Sequence, residues 1–374
     1  MAEPSRARCA VIVVNYNGAD FLGECLESLL QQRRSGLELD IVVVDNNSTD
    51  GSKALMEESF AGVRLIRSDR NLGFAGGVNL GIAATAGEFV ILVNNDAVAE
   101  PSFLEAITEP FHRPGAERLA AVTGRILLAG RFEPASGGGQ VYRAVSGQRW
   151  VRLPAGVDAP DSAVATSGVS LINSTGSQLS RSGNARDRDW LMPAAGDEAD
   201  AEADAEASAK SDVFGFCGGA VALRRSALED VGGFDDRLFL YYEDVDLSWR
   251  LRRGGWQIRY AADAVVTHRH AASSGIGSRL FLVHNIRNRV LVTARNGPPK
   301  MLLQAVSRTV VSWLKAVGRS CAPGGQVARR QAVAGALALG QLARMLPAFW
   351  ADGRRRDRTA ALPRAFVDRW LLPD

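Results

Sequence analysis

Three carboxylates within four positions, Glu243, Asp244 and Asp246, stand at the head of Phe239-Leu-Tyr-Tyr-Glu-Asp-Val-Asp-Leu-Ser-Trp-Arg-Leu-Arg252, a stretch with the apolar spacing of an amphipathic helix. Carboxylates there gain from the partial positive charge of a helix N-terminus, so one reading is a capped surface helix. The other is a general base held for proton transfer. A second group of polar residues favours chemistry, because each follows an apolar run. Asn15, Tyr16 and Asn17 follow Val11-Ile-Val-Val14, Asp45 follows Ile41-Val-Val-Val44, and Asn94, Asn95 and Asp96 follow Phe89-Val-Ile-Leu-Val93.

Unbroken runs of Val, Ile and Leu suit parallel strands covered on both faces. Helix-like segments at about 19–32, 51–59 and 76–86 alternate with them, which predicts an α/β fold built on a doubly wound, mainly parallel sheet. In such sheets ligands bind beyond the carboxyl ends of the strands. The polar tips therefore converge on one rim.

In their order, Val13-Val-Asn-Tyr-Asn-Gly18, Val44-Asp-Asn-Asn-Ser-Thr-Asp-Gly51, Asn71-Leu-Gly-Phe-Ala-Gly-Gly-Val-Asn79, Asn94-Asn-Asp96, Gly218-Gly219, Gly232-Gly-Phe-Asp235, Tyr242-Glu-Asp-Val-Asp-Leu247 and His268 span roughly residues 10–275. This set resembles glycosyltransferase family 2, the inverting enzymes with a GT-A fold. Within it the chain is most similar to bacterial rhamnosyltransferases that act on polyprenyl-diphosphate-linked or cell-wall glycans. The resemblance implies a nucleotide-sugar donor, a divalent cation (Mg2+ or Mn2+) and a lipid-linked or polysaccharide acceptor.

Each part of such a donor needs a different partner. Tyr16 offers an aromatic face to a base, and Asp45 can accept from a base imide or a ribose hydroxyl, the role the family gives the matching position. Asp45 also sits in a turn-rich segment where Ser48 or Asp50 can cap the next helix. Arg70 and Asn71 precede a glycine-rich helix start in which Gly73, Gly76 and Gly77 would let backbone N–H groups approach an anion, though the Lys of a phosphate-binding P-loop is absent. Gly218 and Gly219 complete the expected donor set. Asn94-Asn95-Asp96 takes the place of the family's Asp-x-Asp cation motif, ahead of a helix opened by Pro101. One carboxylate has become an amide, and hard cations favour charged oxygen. Asp96 is the expected ligand, with His268 the second, since imidazole suits Mn2+; His270 fits less well.

The implied reaction is a direct displacement at the anomeric carbon by an acceptor hydroxyl. By motif match Asp244 is the base, with Glu243 and Asp246 as supporting or acceptor-binding groups. No Ser-His-Asp arrangement or Cys nucleophile setting is apparent. A transferase using a UDP-sugar, or a protein that binds a nucleotide-sugar without turning it over, would share most of these features.

At 374 residues and 46% hydrophobic content the chain can bury a large core. Cys9, Cys25, Cys217 and Cys321 show no paired spacing, so neither a disulfide framework nor a zinc site is expected. The first residues lack a signal-peptide core, which predicts a cytoplasmic protein. Residues 1–275 read as the catalytic domain, interrupted at about 129–212 by a Gly-, Ser- and Asp-rich insertion whose acidic peak, 197–206, has the composition of a solvated loop. The segments 172–176 and 183–188 within it resemble acceptor-side segments of the subgroup, with no residue assigned a role.

Residues 271–374 carry 17 Lys or Arg against 4 Asp or Glu, a net +13, while residues 1–270 carry 27 against 37, a net −10. Over 300–319 a helical projection gathers Leu302, Leu303, Val306, Val310, Trp313, Leu314 and Val317 on one face, with Arg308, Lys315 and Arg319 opposite. That pattern, in a basic region 276–374 whose apolar runs are broken by Arg308, Lys315 and Arg344, predicts helices lying on an anionic membrane surface at the inner face of the cell membrane rather than crossing it. Packing on the catalytic domain, or contact in a homo-oligomer, is the alternative. No nucleic-acid module accompanies the charge. The Gln-x-x-Arg-Trp signature of processive synthases is missing, so transfer of one or a few sugars is expected.

Overall fold

In the computed structural model, residues 7–33, 36–135, 141–144, 146–154, 168–194, 211–269, 277–322 and 325–374 are described. The apolar runs become strands: β1 (Ala7–Asn15), β2 (Leu37–Asp45), β3 (Arg64–Arg67) and β4 (Phe89–Val93), with α1 (Ala19–Leu30), α2 (Ser52–Ser59) and α3 (Gly73–Ala83) between them. β5 (Ala97–Ala99), α4 (Phe103–Thr108) and β6 (Leu119–Leu128) follow. Pro101 lies just ahead of α4, whose N-cap is Ser102. Along β1, Val11 and Val13 join one buried cluster with Leu22 and Leu26, while Ile12 joins another with Val42, Val44 and Val78. Both faces are covered, so the stretch 9–14 is apolar throughout instead of alternating.

Described parts of 129–212 form β7 (Phe132–Pro134), β8 (Val141–Arg143) and β9 (Arg149–Arg152), a small antiparallel sheet, then β10 (Ile172–Ser174), β11 (Ser177–Ser180) and β12 (Ala185–Asp187). The acidic run 197–206 and His270 lie outside the described residues. The chain continues through β13 (Ala220–Arg224), α5 (Arg225–Val231), α6 (Glu243–Arg253), β14 (Gln257–His268), α7 (Arg279–Asn296), α8 (Pro299–Ser320), α9 (Gln326–Arg356) and β15 (Leu371–Leu372).

The central sheet runs β3-β2-β1-β4-β13-β6-β14-β5, with β10 paired to β6. Its β3-β2-β1-β4 half is parallel, as the sequence predicts. The other half is mixed, because β13 returns from the insertion antiparallel to both β4 and β6 while β14 runs parallel to β6.

The C-terminal helices pack on this core rather than standing apart from it. Trp249 of α6, Val290 and Leu291 of α7, Met301 of α8 and Phe349 of α9 share one buried cluster. The expected apolar face of α8 is divided: Leu302 and Val306 pack inward, while Leu303, Leu314 and Val317 are exposed. Among the described residues α9 alone is long and apolar enough to cross a membrane by length and composition.

Candidate active site

The Phe239–Tyr242 turn that delivers the three carboxylates is strained. Phe239, Tyr241 and Tyr242 have φ of 67°, 68° and 70°, a region costly for bulky L-residues and kept only when surroundings enforce it. Asn288 of α7 enforces it: its side-chain N–H groups serve the carbonyls of Leu238 (2.9 Å), Leu240 (3.0 Å) and Tyr241 (2.7 Å), and Arg287 also donates to Leu238.

Beyond that turn the carboxylates separate. Asp246 is fully buried; it accepts from Arg250 and Arg295 at 2.8 Å each and from Asn296 at 2.8 Å. Burial alone would raise its pKa, yet the two guanidinium groups outweigh it and hold the carboxyl below its usual value. These three bonds and complete burial place Asp246 as a structural carboxylate, out of reach of an acceptor in this conformation, where the sequence suggests a supporting or acceptor-binding group. Glu243 is also buried, with Oε2 lacking any partner, and burial followed by the nearby charge of Asp244 pushes its pKa well up. Asp244 is the partly exposed member. It accepts only backbone N–H groups, from Val245 at 2.7 Å and Gly218 at 3.3 Å, and burial raises its pKa against their opposing effect.

A cavity of about 480 Å³ opens beyond the strand ends, lined among others by Tyr16, Asn71, Gly73, Asn95, Asp96 and His268. Tyr16 is 43% exposed there, free to stack on a flat ligand. Other expected donor residues build the wall without lining it. Asn15 joins the tips of three strands, donating to Ser48 Oγ (3.2 Å) and accepting from Asn95 (2.8 Å). Asn17, in the left-handed region at φ 51°, accepts from the Thr49 N–H. Asp45 is buried and accepts from the Ser48 N–H at 3.3 Å, and Asp50 caps α2 by accepting from Ser52. Arg70 is exposed away from the cavity.

The glycines of the helix start, expected as anion contacts, are tightly packed in the structure. A Cβ on Gly77 would stand 2.7 Å from Val14, and one on Gly76 would stand 2.8 Å from Leu72. Two N–H groups of the α3 start have partners within the protein, Gly73 donating to Asn71 Oδ1 and Ala75 to the Phe239 carbonyl. Asn46 secures the same loop, accepting from the Leu72 N–H and donating to the Gly73 carbonyl. Gly218 leaves room for the Phe74 ring, and Gly219 for Asn94.

Asp96 Oδ1 and His268 Nε2 lie 2.9 Å apart on the cavity wall, with Asn94 Nδ2 3.3 Å from the same ring nitrogen. His268 Nδ1 is 2.7 Å from Asn173 Oδ1. An amide oxygen only accepts, so Nδ1 carries a proton there, which fixes the ring with Nε2 between the Asp96 carboxylate and the Asn94 amide. A carboxylate oxygen, an imidazole nitrogen and an amide that can present its oxygen suit Mg2+ or Mn2+. Among the described residues no cluster of three or more His, Cys, Asp or Glu could hold a metal ion alone. The pair therefore fits a cation that takes its remaining ligands from a bound diphosphate.

Asp187 was not singled out in the sequence, although its segment, 183–188, was. Carried on β12, it lies among Ser174, Cys217, Asp244 and His268. Burial chiefly, with the charge of Asp244 added, raises its pKa to about 6 despite the Ser174 hydrogen bond. The same surroundings push the Cys217 thiol well up, so it is no nucleophile.

Residues 10–134 match the model of glycosyl transferase family 2, and residues 185–281 that of glycosyl transferase family group 2. The chain is 29% identical to N-acetylglucosaminyl-diphospho-decaprenol L-rhamnosyltransferase of Mycobacterium tuberculosis over 282 residues, 71% of this chain and 77% of the relative. It is 36% identical to the succinoglycan biosynthesis protein ExoO of Rhizobium meliloti over 107 residues, 28% of this chain and 30% of that protein. Among solved structures, GalNAc-T7 with UDP, GalNAc and Mn2+ is similar at a TM-score of 0.54 and 14% identity, covering 98% of this chain and 57% of that one. At that identity the likeness is one of fold.

Proposed function

The chain belongs to the family 2 glycosyltransferases, and from that premise we propose that it is an inverting, cation-dependent enzyme that transfers L-rhamnose from dTDP-rhamnose to a polyprenyl-diphosphate-linked glycan. The sugar and acceptor follow the Mycobacterium tuberculosis relative, by its name an L-rhamnosyltransferase acting on N-acetylglucosaminyl-diphospho-decaprenol.

One observation carries the mechanism: of the three clustered carboxylates, Asp244 alone is partly exposed and without an ion-pair partner. It accepts the proton of the acceptor hydroxyl as that oxygen attacks the anomeric carbon. The C–O bond to the nucleoside diphosphate breaks on the opposite side, and configuration inverts. Glu243, its pKa pushed up by burial and then by the Asp244 charge, lies buried beside Asp244, and Asp246 fixes the helix that carries them. Asp96 and His268 would hold Mg2+ or Mn2+, which would supply positive charge against the leaving diphosphate. Tyr16 stacks on the base and Asn71 borders the donor cavity; Asp187 receives the acceptor sugar beside Asp244. The work is done at the inner face of the membrane, where the basic helices meet anionic lipid.

Nucleotide release from dTDP-, UDP- and GDP-sugars, with a lipid-linked acceptor extract and a chelator control, tests this reading. Release from dTDP-rhamnose that needs the extract and is lost with chelator is expected. Release from a UDP-sugar instead would replace the donor, and insensitivity to chelator would remove the cation.

A further inference from the structure

A second cavity, of about 760 Å³, runs between α7 and α8 and is closed at one end by α9. Its apolar wall includes Phe281, Leu282, Ile286 and Trp313. Trp313 is fixed in place: its indole N–H donates to the Ala332 carbonyl at 3.1 Å, and a Cβ on Gly335 would come within 2.7 Å of its ring. Four cations, Arg289, Arg308, Lys315 and Arg319, line the same groove, and its described lining includes no Asp or Glu. Arg308, though exposed, pairs with Asp374 at 3.1 Å, and Arg289 is used by Asn184 and Thr309; Lys315 and Arg319 are exposed with no carboxylate partner among the described residues, Arg319 Nε donating to the Lys315 carbonyl.

The groove adjoins the donor cavity. Phe281 lines both, and its ring packs edge-on against Tyr241 at 5.2 Å, in the strained turn before Asp244. The donor cavity carries Asp96 and lies by Asp244, whereas the groove is cationic and apolar. A ligand spanning the two needs a sugar at one end, then phosphate, then hydrocarbon.

We infer that this groove is the acceptor subsite for the isoprenoid diphosphate of a lipid-linked sugar, with Lys315 and Arg319 meeting the diphosphate and the Phe281–Trp313 wall taking the first isoprene units. The inference rests on the lipid-linked acceptor of the reading above. Exposed Leu303, Leu314 and Val317 on the same α8 continue the apolar surface outward, where the rest of the chain would enter the bilayer.

Calorimetry with farnesyl diphosphate, pyrophosphate and farnesol tests it on the full chain, alongside steady-state transfer. Farnesyl diphosphate should bind more tightly than either part alone. The K315E/R319E variant should weaken it about 10- to 100-fold, the range for losing charge-assisted bonds to phosphate, raise KM for the lipid-linked acceptor in step, and leave KM for the nucleotide-sugar unchanged. Both side chains are exposed, so melting should be unaltered. Ser312→Phe, which fills the groove without changing charge, should weaken farnesyl diphosphate and spare pyrophosphate. Equal farnesyl diphosphate affinity in wild type and K315E/R319E, or pyrophosphate binding as well as farnesyl diphosphate, would overturn the subsite while leaving any observed transfer intact. Groove binding by an enzyme that transfers to no lipid-linked acceptor would instead contradict the proposed reaction and leave the isoprenoid diphosphate site standing.

Discussion

Adjacent carboxylates acquire different chemistry from their surroundings. Asp246 is paired with Arg250 and Arg295, Glu243 has its pKa pushed up chiefly by desolvation, and Asp244 stays partly exposed. Asp187, raised to about 6 by burial and by Asp244, holds its proton more tightly folded than unfolded, where a carboxyl titrates near 3.9. Its contribution to stability is therefore fully present below about pH 4 and lost as pH rises through about 6, a cost of about 2–3 kcal/mol above that. Asp187→Asn should stabilise the protein by up to that amount at pH 7.5 in urea unfolding, with the gain gone at pH 4, while reducing transfer. In wild type, kcat/KM should fall on the acid side at a pH above the ordinary carboxyl range, because Asp244 must be ionised to act. Asn94→Asp should restore a second anionic ligand beside Asp96 and lower the Mn2+ concentration for half-maximal activity about tenfold, measured by metal titration. The motif residues Asp96, Asp244 and His268 were legible because their types and order carry chemistry. Asp187 was not, since it enters from a short strand whose neighbours, Ala185 and Arg186, show no periodicity to place it.

The elements act as holders, and α7 is the one the sequence least revealed. Asn288 clamps three carbonyls of a turn with three left-handed bulky residues. Asn288→Leu should release the turn, displace Asp244 and reduce kcat about 100-fold, the cost of misplacing a catalytic group by roughly an ångström, with KM for the donor little changed. A kcat within threefold of wild type, measured on a folded variant, would show that the turn holds itself. The strands were readable because burial on both faces leaves an unbroken apolar run. Gly76 and Gly77 were expected as anion contacts, yet close packing also asks for a missing Cβ, and the 2.7 Å approach that a Cβ on Gly77 would make to Val14 could not be seen from the sequence. The mixed half of the sheet was hidden because strand direction depends on the route taken by the insertion.

Across the whole molecule, the basic C-terminal region is tied to the catalytic core by a buried ionic network. Arg295 joins Asp246 and Asp235, Arg237 joins Asp235 and Asp352, and both guanidinium groups stack on Phe349 of α9 at 4.2 and 4.4 Å. Composition revealed the charge of this region but not these partners, which lie far away in sequence. Arg295→Ala should cost up to about 3–5 kcal/mol, the range for breaking a buried pair, because it takes one of two guanidinium partners from each of Asp246 and Asp235. Asp235 and Asp246 are held below their usual values, so the network's stabilisation is present above about pH 4 and lost as pH falls through the folded values. The variant should accordingly denature at higher pH than wild type in an acid titration followed by circular dichroism. The account as a whole depends on Asp244 taking the acceptor's proton. The measurement that bears on it most directly is transfer from dTDP-rhamnose to a lipid-linked acceptor by Asp244→Asn, read beside calorimetric binding of the donor. Transfer reduced about 10²- to 10⁴-fold with donor affinity unchanged is the predicted result; transfer at the wild-type rate would contradict it.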